Sequence, residues 1–293
     1  MSVQTSISVI VPVHNRVDFL AQALESVVNQ GVMDMEIIVI DDSSLDSLSK
    51  VISKLCAKYD SVTLIKNDQN SGVSYSRNRG IERATGEFVV FLDSDDTLEN
   101  NVLKPAVDFM TNHRDVDVLI GKTKLIDGTN SSRSFTRLEM RFEDLTNQHH
   151  HSLITSSEYF LLYQPAIHAM LFRTERLKNH RFDEGLVYGE DRLFCWELRS
   201  AGLKFQTSDN VMANYRISPT ANQSSHAKQN FYQCAISCGL VKTSFEVSYL
   251  MLLWSFQEFA SGKILSALSH FFRGIGDAKA RFEFFQLVKS RLS

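Results

Sequence analysis

No stretch of this chain stays apolar long enough to cross a bilayer. The two candidates are residues 7–13, interrupted by Pro12, and residues 245–259, which carry Glu246, Gln257 and Glu258. Both fall short of the ~18 uninterrupted apolar residues a spanning helix needs. No basic segment precedes the first of them, so no targeting sequence is expected. Cysteine is scarce. Cys56, Cys195, Cys234 and Cys238 make no disulfide framework, which fits reduced thiols in a cytosolic protein. Charge of one sign is also lacking: 31 basic against 34 acidic side chains leave a net charge of −3, which is not the footprint of a nucleic-acid binder. Two phosphate-binding signatures are missing as well. G-x-x-x-x-G-K-[ST] occurs nowhere, and no G-x-G-x-x-G follows the first apolar segment. Their absence argues against a P-loop ATPase and a dinucleotide-dependent oxidoreductase.

What is present is ordinary globular material, 43% hydrophobic and 22% charged over 293 residues, which excludes wholesale disorder. The length suits one large domain, or one domain with an appendage. In the first half, strand-like and helix-like segments alternate. Buried strands are expected at 7–13, 36–40, 62–66, 87–92 and 116–121, and helices at 18–30, 45–59, 73–84 and 102–110. Near-continuous apolar strands, each followed by a helix, require a parallel sheet covered on both faces. Further on, strands are expected at 124–130 (entering a turn), 166–172 and 211–217, a helix at 191–201, and only helices from about residue 222. We therefore expect an α/β protein with a mostly parallel central sheet flanked by helices and a helical C-terminal extension.

Two acidic clusters end two of these strands: Asp41-Asp42-Ser43-Ser44, and Asp93-Ser94-Asp95-Asp96. In open α/β sheets the ligand lies beyond the carboxyl ends of the strands, where both clusters fall. Adjacent carboxylates cost free energy unless a cation or hydrogen-bond donors meet them, and carboxylates with open positions suit Mg²⁺ or Mn²⁺ shared with a diphosphate. The competing role for either cluster is to cap the helix that follows. The segment from Asn70 through Gly72, Arg77 and Arg79 to Gly80 combines a helix start with two arginines, a combination that favours an anion.

Ser8 to Arg16, Val39 to Ser44, Gly72 to Gly80 and Phe91 to Asp96, followed by Arg181-Phe-Asp-Glu-Gly-Leu-Val-Tyr-Gly-Glu-Asp191, together resemble the family 2 glycosyltransferases with the GT-A fold, of the bacterial surface-polysaccharide type. The likeness covers about residues 5–218 in matching order and spacing. It implies a catalytic domain over residues 1–221, with a nucleotide-binding half at 1–121 and an acceptor-binding half at 122–221, and an extension at 222–293. It also implies that Pro12, His14, Asn15 and Arg16 border the nucleotide, that Asp42 takes a base N–H, and that Arg77 approaches base or phosphate. Asp93 would hold the ribose, Asp95 would bind Mg²⁺ or Mn²⁺, and Asp191 would act as general base for an inverting transfer. His168 and Glu190 are further candidates for acceptor or donor-sugar contacts.

An Asp at position 42 suits uracil, so a UDP-sugar is favoured, with dTDP and GDP left open. The implied acceptor is a hydroxyl of a saccharide or lipid-linked saccharide in exopolysaccharide, capsule or lipopolysaccharide synthesis. One departure stands out: relatives often carry a metal-ligating His shortly after a Tyr-Arg pair, whereas Tyr215-Arg216 is followed by Ser218, and His226 lies too far along to be the same ligand. The alternative reading is a GT-A-fold nucleotide-sugar-binding or scaffold protein with impaired catalysis. A sugar-1-phosphate nucleotidyltransferase would need a Gly- and Arg-rich loop where Pro12 to Arg16 stands. His149-His150-His151 and Cys234-x-x-x-Cys238 complete no metal set. Residues 263–293 interleave six basic side chains with five Phe. Such helices can lie on an anionic membrane, pack on the catalytic domain, or join a homodimer. The expected location is cytoplasmic, free or peripheral on the inner face of the membrane.

Overall fold

The computed structural model describes residues 7–32, 34–126, 153–154, 166–216 and 252. The expected turn after 124–126, the histidine run at 149–151, Ser218, His226, Cys234, Cys238 and the extension at 222–293 lie outside these residues.

Strand β1 (Ile7–Val13) is buried along its whole length, because helices cover both of its faces. Its odd-numbered residues Val9, Val11 and Val13 share a core with Leu20, Ala23, Leu24 and Val27 of α1 (Leu20–Val28), Ile52 of α2 (Asp46–Cys56) and Leu103 and Met110 of α4 (Leu103–Asn112). The opposite face carries α3 (Gly72–Arg83), which packs so closely that a Cβ on Gly80 would sit 2.3 Å from Ile10 Cγ2. β2 (Met35–Asp41) and β3 (Val62–Lys66) extend the sheet on one side of β1, and β4 (Phe88–Phe91) joins it on the other, all parallel.

The chain therefore winds outward through β2 and β3 and then crosses to β4, which makes the β1/β4 junction the topological switch point. The β1–β4 ladder runs only from Ile7 to Ile10. Pro12 lies beyond it, where the missing N–H costs no ladder bond and the strands part.

The second half of the sheet is mixed. β8 (Met170–Arg173) runs antiparallel to both β4 and β6 (Val118–Ile126), and β6 pairs parallel with the long β9 (Phe205–Arg216). Two-residue strands, β5 (Thr97–Leu98) and β7 (Leu153–Ile154), pair antiparallel with β9. The order is β3-β2-β1-β4-β8-β6-β9-β5, with β7 on β9. Residues 166–172, expected as one strand, begin instead with a 3-10 turn at Ile167–Ala169, and the short helix α5 (Thr174–Leu177) follows β8.

Helix α6 (Glu190–Ser200) docks through an aromatic cluster. Phe194 stacks on Phe182 at 3.9 Å between centroids, and Phe91 meets Phe172 and Phe182 edge-on at 5.5 and 5.2 Å. Each buried ring contributes about 1.5–3 kcal/mol of transfer free energy, so the start of α6 is anchored firmly beside the end of β4. Cys56 and Cys195 are free and buried. Among the described residues no helix is long and apolar enough to cross a membrane.

Candidate active site

The ends of β1 and β2 are tied to each other. His14 Nδ1 lies 2.7 Å from the Asp42 carbonyl oxygen, which fixes Nδ1 as the donor, so Nε2 accepts from the side-chain amides of Asn15 and Asn70 at 2.9 and 3.1 Å. The Asn15 N–H donates to Ser44 Oγ, and its side-chain oxygen accepts from the Leu45 N–H. Asn15 sits at φ 56°, a left-handed conformation that asparagine tolerates better than most residues.

The neighbouring carboxylates Asp41 and Asp42 diverge because successive strand residues face opposite ways. Asp41 accepts from the Ser44 N–H and the Ser49 hydroxyl, at 2.9 and 2.6 Å, and so stabilises the start of α2. Burial pushes its pKa up, but these donors and Lys66 outweigh that and leave it lowered. Asp42 points to the other face. It accepts from the N–H groups of Ser71 and Gly72 at 2.9 and 2.8 Å and from the Asn67 amide at 2.7 Å. The residue expected at the nucleotide base thus also caps α3 from a different element, and its Oδ2 keeps a lone pair beyond the Gly72 bond.

Both arginines of α3 are engaged by the protein. Arg79 donates to the Lys66 carbonyl and to Asn67 Oδ1. Arg77, expected to approach base or phosphate, is only 3% exposed. Its guanidinium donates to Asp93 Oδ1 at 2.7 Å and Glu190 Oε1 at 3.0 Å and lies 5.3 Å over the Phe182 ring. Burial opposes its charge, but Asp93 and Glu190 prevail and raise its pKa.

The Asp93–Asp96 turn does not cap the following helix, which begins seven residues later at Leu103. β9 braces it instead. The β5–β9 ladder at Thr97↔Asn214 carries Tyr215 and Arg216 alongside it. The Arg216 N–H donates to Asp96 Oδ1 at 2.7 Å and its Nε to the Asp95 carbonyl at 3.0 Å, with the guanidinium 4.1 Å over Phe19. Asp95 is paired with Arg16. Burial and the neighbouring Asp96 and Asp93 nevertheless raise its pKa, since Arg16 only partly compensates. Burial pushes Asp93 up too, but Arg77 and His168 leave it lowered.

His168, expected at an acceptor pocket, lies beneath this turn. It is 2% exposed, stacked on Tyr215 at 5.5 Å, with Nδ1 3.0 Å from Asp96 Oδ2. Its ring thus meets Asp96 and Tyr215, on the protein side of the turn. Asp96 Oδ2 and, on the other side of the ring, His168 Nε2 are both buried without a hydrogen-bond partner. Burial disfavours charge on His168, but Asp96 and then Asp93 raise its pKa overall. Asp93, Asp96 and His168 each offer a ligand atom, all within 4.8 Å of one another. Two carboxylates, an imidazole and two unsatisfied buried acceptors or donors fit a divalent cation.

The remaining candidates open α6. Gly189, at φ 71°, supplies the left-handed turn that sets Glu190 and Asp191 in the first helical turn. Asp191 Oδ1 accepts its neighbour Arg192's N–H at 2.7 Å. Glu190, expected near the sugars, pairs with Arg77; burial and then Asp191 raise its pKa against that pairing. The site thus gathers the carboxylates that follow β4 and those that open α6 around Arg77. Reasoning from sequence placed Asp96 in its acidic cluster without a separate role and missed Asn78, Tyr215 and Arg216 as site builders. Their signal was there, since Asn78 lies within the arginine segment and Tyr215-Arg216 was visible as a pair.

The family model "Glycosyl transferase family 2" matches residues 8–172. Over 233 residues the chain is 26% identical to the minor teichoic acid biosynthesis protein GgaB of Bacillus subtilis, covering 77% of this chain and 25% of that protein. The chain therefore spans about a quarter of the length of that relative. Residues 1–349 of S. aureus TarS, solved in complex with UDP-GlcNAc, superimpose with a TM-score of 0.66 at 22% identity, covering 92% of this chain and 82% of that one. The mannosyltransferase PcManGT from Pyrobaculum calidifontis, in complex with GDP-Man and Mn²⁺, gives 0.63 at 16% identity, covering 98% and 80%. These two likenesses establish a common fold.

Proposed function

The chain belongs to glycosyl transferase family 2, and we propose that it transfers a sugar, with inversion, from a nucleoside diphosphate to a hydroxyl of a saccharide or lipid-linked saccharide. The carrying observation is the Asp93–Arg77–Glu190 bridge, which fixes the carboxylate turn against the helix end that bears Asp191. A donor held at the turn and an acceptor held at that helix end would then meet with a proton acceptor beside the attacking oxygen.

In this reading Pro12, His14, Asn15 and Arg16 line the nucleotide where β1 and β4 part. The remaining Asp42 lone pair accepts the N–H of a uracil, and thymine offers the same edge. Asp93 holds the ribose. Asp95 would hold Mg²⁺ or Mn²⁺, with Asp96 of the Asp93–Asp96–His168 cluster next to it in the same turn, and the ion when bound would stabilise the departing diphosphate as a Lewis acid. Asp191 removes the acceptor proton as the oxygen attacks. The likeness to a teichoic acid biosynthesis protein supports a bacterial surface polymer as destination.

The test pairs binding with turnover. Thermal stability should rise with one of UDP, dTDP or GDP in the presence of Mn²⁺ and not with chelator. At 100 times its dissociation constant such a ligand stabilises by about 2.7 kcal/mol. Asp191→Asn should keep that shift and lose donor turnover. Full turnover in Asp191→Asn would remove the base assignment, and no shift with any nucleotide would favour the scaffold alternative.

A further inference from the structure

Arg77 and Asn78 are consecutive on α3, and both grip the segment that leads into the base. Asn78 closes a two-way bond with the Phe182 backbone: its amide donates to the Phe182 carbonyl at 2.9 Å, and its Oδ1 accepts the Phe182 N–H at 2.8 Å. The same amide reaches Glu184 at 2.9 Å. At the far end of the segment Arg77 holds Glu190 at 3.0 Å. Both side chains are buried, whereas Val187, midway between the anchors, is 74% exposed. A loop of irregular backbone is thus stapled to one helix at its two ends. To reach a nucleotide, Arg77 would have to leave Asp93 and Glu190, stripping two carboxylates of their buried counter-charge.

We propose that Arg77 is a positioning residue for the general base, acting through Glu190 while Asn78 fixes the other end of the segment, and is not a nucleotide contact. This rests on the transferase reading. Because the guanidinium fork joins Asp93 to Glu190, the donor carboxylate and the helix end that carries Asp191 keep one separation. A displacement of about 1 Å at a reacting group is enough to cost about 10²-fold in rate. A lysine, as a point charge without the fork, would satisfy one carboxylate at a time.

The experiment measures Arg77→Gln, Arg77→Lys, Glu190→Gln and the Arg77→Gln/Glu190→Gln double variant. Nucleotide affinity is read by calorimetry with Mn²⁺ and whichever of UDP, dTDP or GDP binds the wild type most tightly. Turnover is read as hydrolysis of the best of UDP-glucose, UDP-galactose and UDP-N-acetylglucosamine, and hydrogen exchange is followed at residues 182–190. Arg77→Gln should bind nucleotide within about threefold of wild type, lose kcat by about 10²-fold and exchange faster at 182–190. The second substitution should add little, as expected of residues acting as one unit, and Arg77→Lys should recover part of kcat.

A loss of about tenfold or more in nucleotide affinity with kcat intact, or strictly additive losses, would overturn the proposal. If Arg77→Gln does not fold, the isosteric Glu190→Gln decides alone: reduced kcat with unchanged affinity supports the positioning role, and unchanged kcat refutes it. A wild type that neither binds nucleotide nor turns over donor would sink the transferase reading and this role with it. The exchange data would still report separately whether Arg77 clamps the loop.

Discussion

Asp41 and Asp42 differ by one position and serve opposite sides of the sheet. The parity is set upstream: Ile37 and Val39 belong to the core shared with α1 and α2, so Asp41 follows them and Asp42 turns toward α3. The same count puts Asp93 on the side of Arg77, because Phe88 and Val90 face the other way. Counting by twos from a buried strand therefore makes the direction of each strand-end carboxylate legible. What the count cannot give is the partner. Asp42 was expected to serve a base or to cap the helix beginning near residue 45, and the helix it caps is the one starting thirty positions on. Asp42→Ala should cost about 1–2 kcal/mol, as loss of a strong cap does, measured by urea denaturation. An unchanged midpoint would mean that the Ser71 and Gly72 amides contribute nothing through this carboxylate.

Among elements, long periodic segments were readable and short ones were not. The observed helices α1 to α4 and α6 fall on their expected segments with ends shifted by a few residues, because capping and packing set where a helix stops. β5 and β7 have two residues each, too few for any alternation to register. They are nevertheless consequential, since β5 pairs with β9 and thereby delivers Tyr215 and Arg216 to the carboxylate turn. Arg216→Ala would release the Asp95 carbonyl and the Gln22 side chain. Manganese affinity, read by electron paramagnetic resonance, should fall by about tenfold or more, the usual cost of losing an outer support of a metal site. Unchanged affinity would show that the turn holds its shape without β9.

For the molecule as a whole, the parallel half was legible because strands buried on both faces read as apolar runs, and the mixed half was not because its pairings join distant segments. The end of the sheet opposite the site has its own fastening. Glu36 accepts from the Ser8 hydroxyl at 2.6 Å, from the Thr85 N–H and hydroxyl at 2.7 and 2.8 Å, and from the Gly86 N–H at 3.3 Å, linking β1, β2 and the approach to β4. Burial pushes Glu36 up, but these donors prevail and its pKa lies below the ordinary 4.5. The folded state thus binds the proton less readily than the unfolded chain. The resulting stabilisation is complete above that ordinary value and is lost as pH falls through the lowered one. Glu36→Gln should flatten the acid limb of melting temperature against pH while leaving the neutral plateau lower; an acid limb as steep as wild type would assign the acid sensitivity to other carboxylates.

The loop held by Asn78 at Phe182 and by Arg77 at Glu190 behaves like a tool clamped at both ends of its handle. Its exposed tip around Val187 can be exchanged without loosening the grip. Grafted side chains or a reporter group placed there would therefore leave the two anchors, and the spacing they hold between the Asp93 turn and the start of α6, as they are.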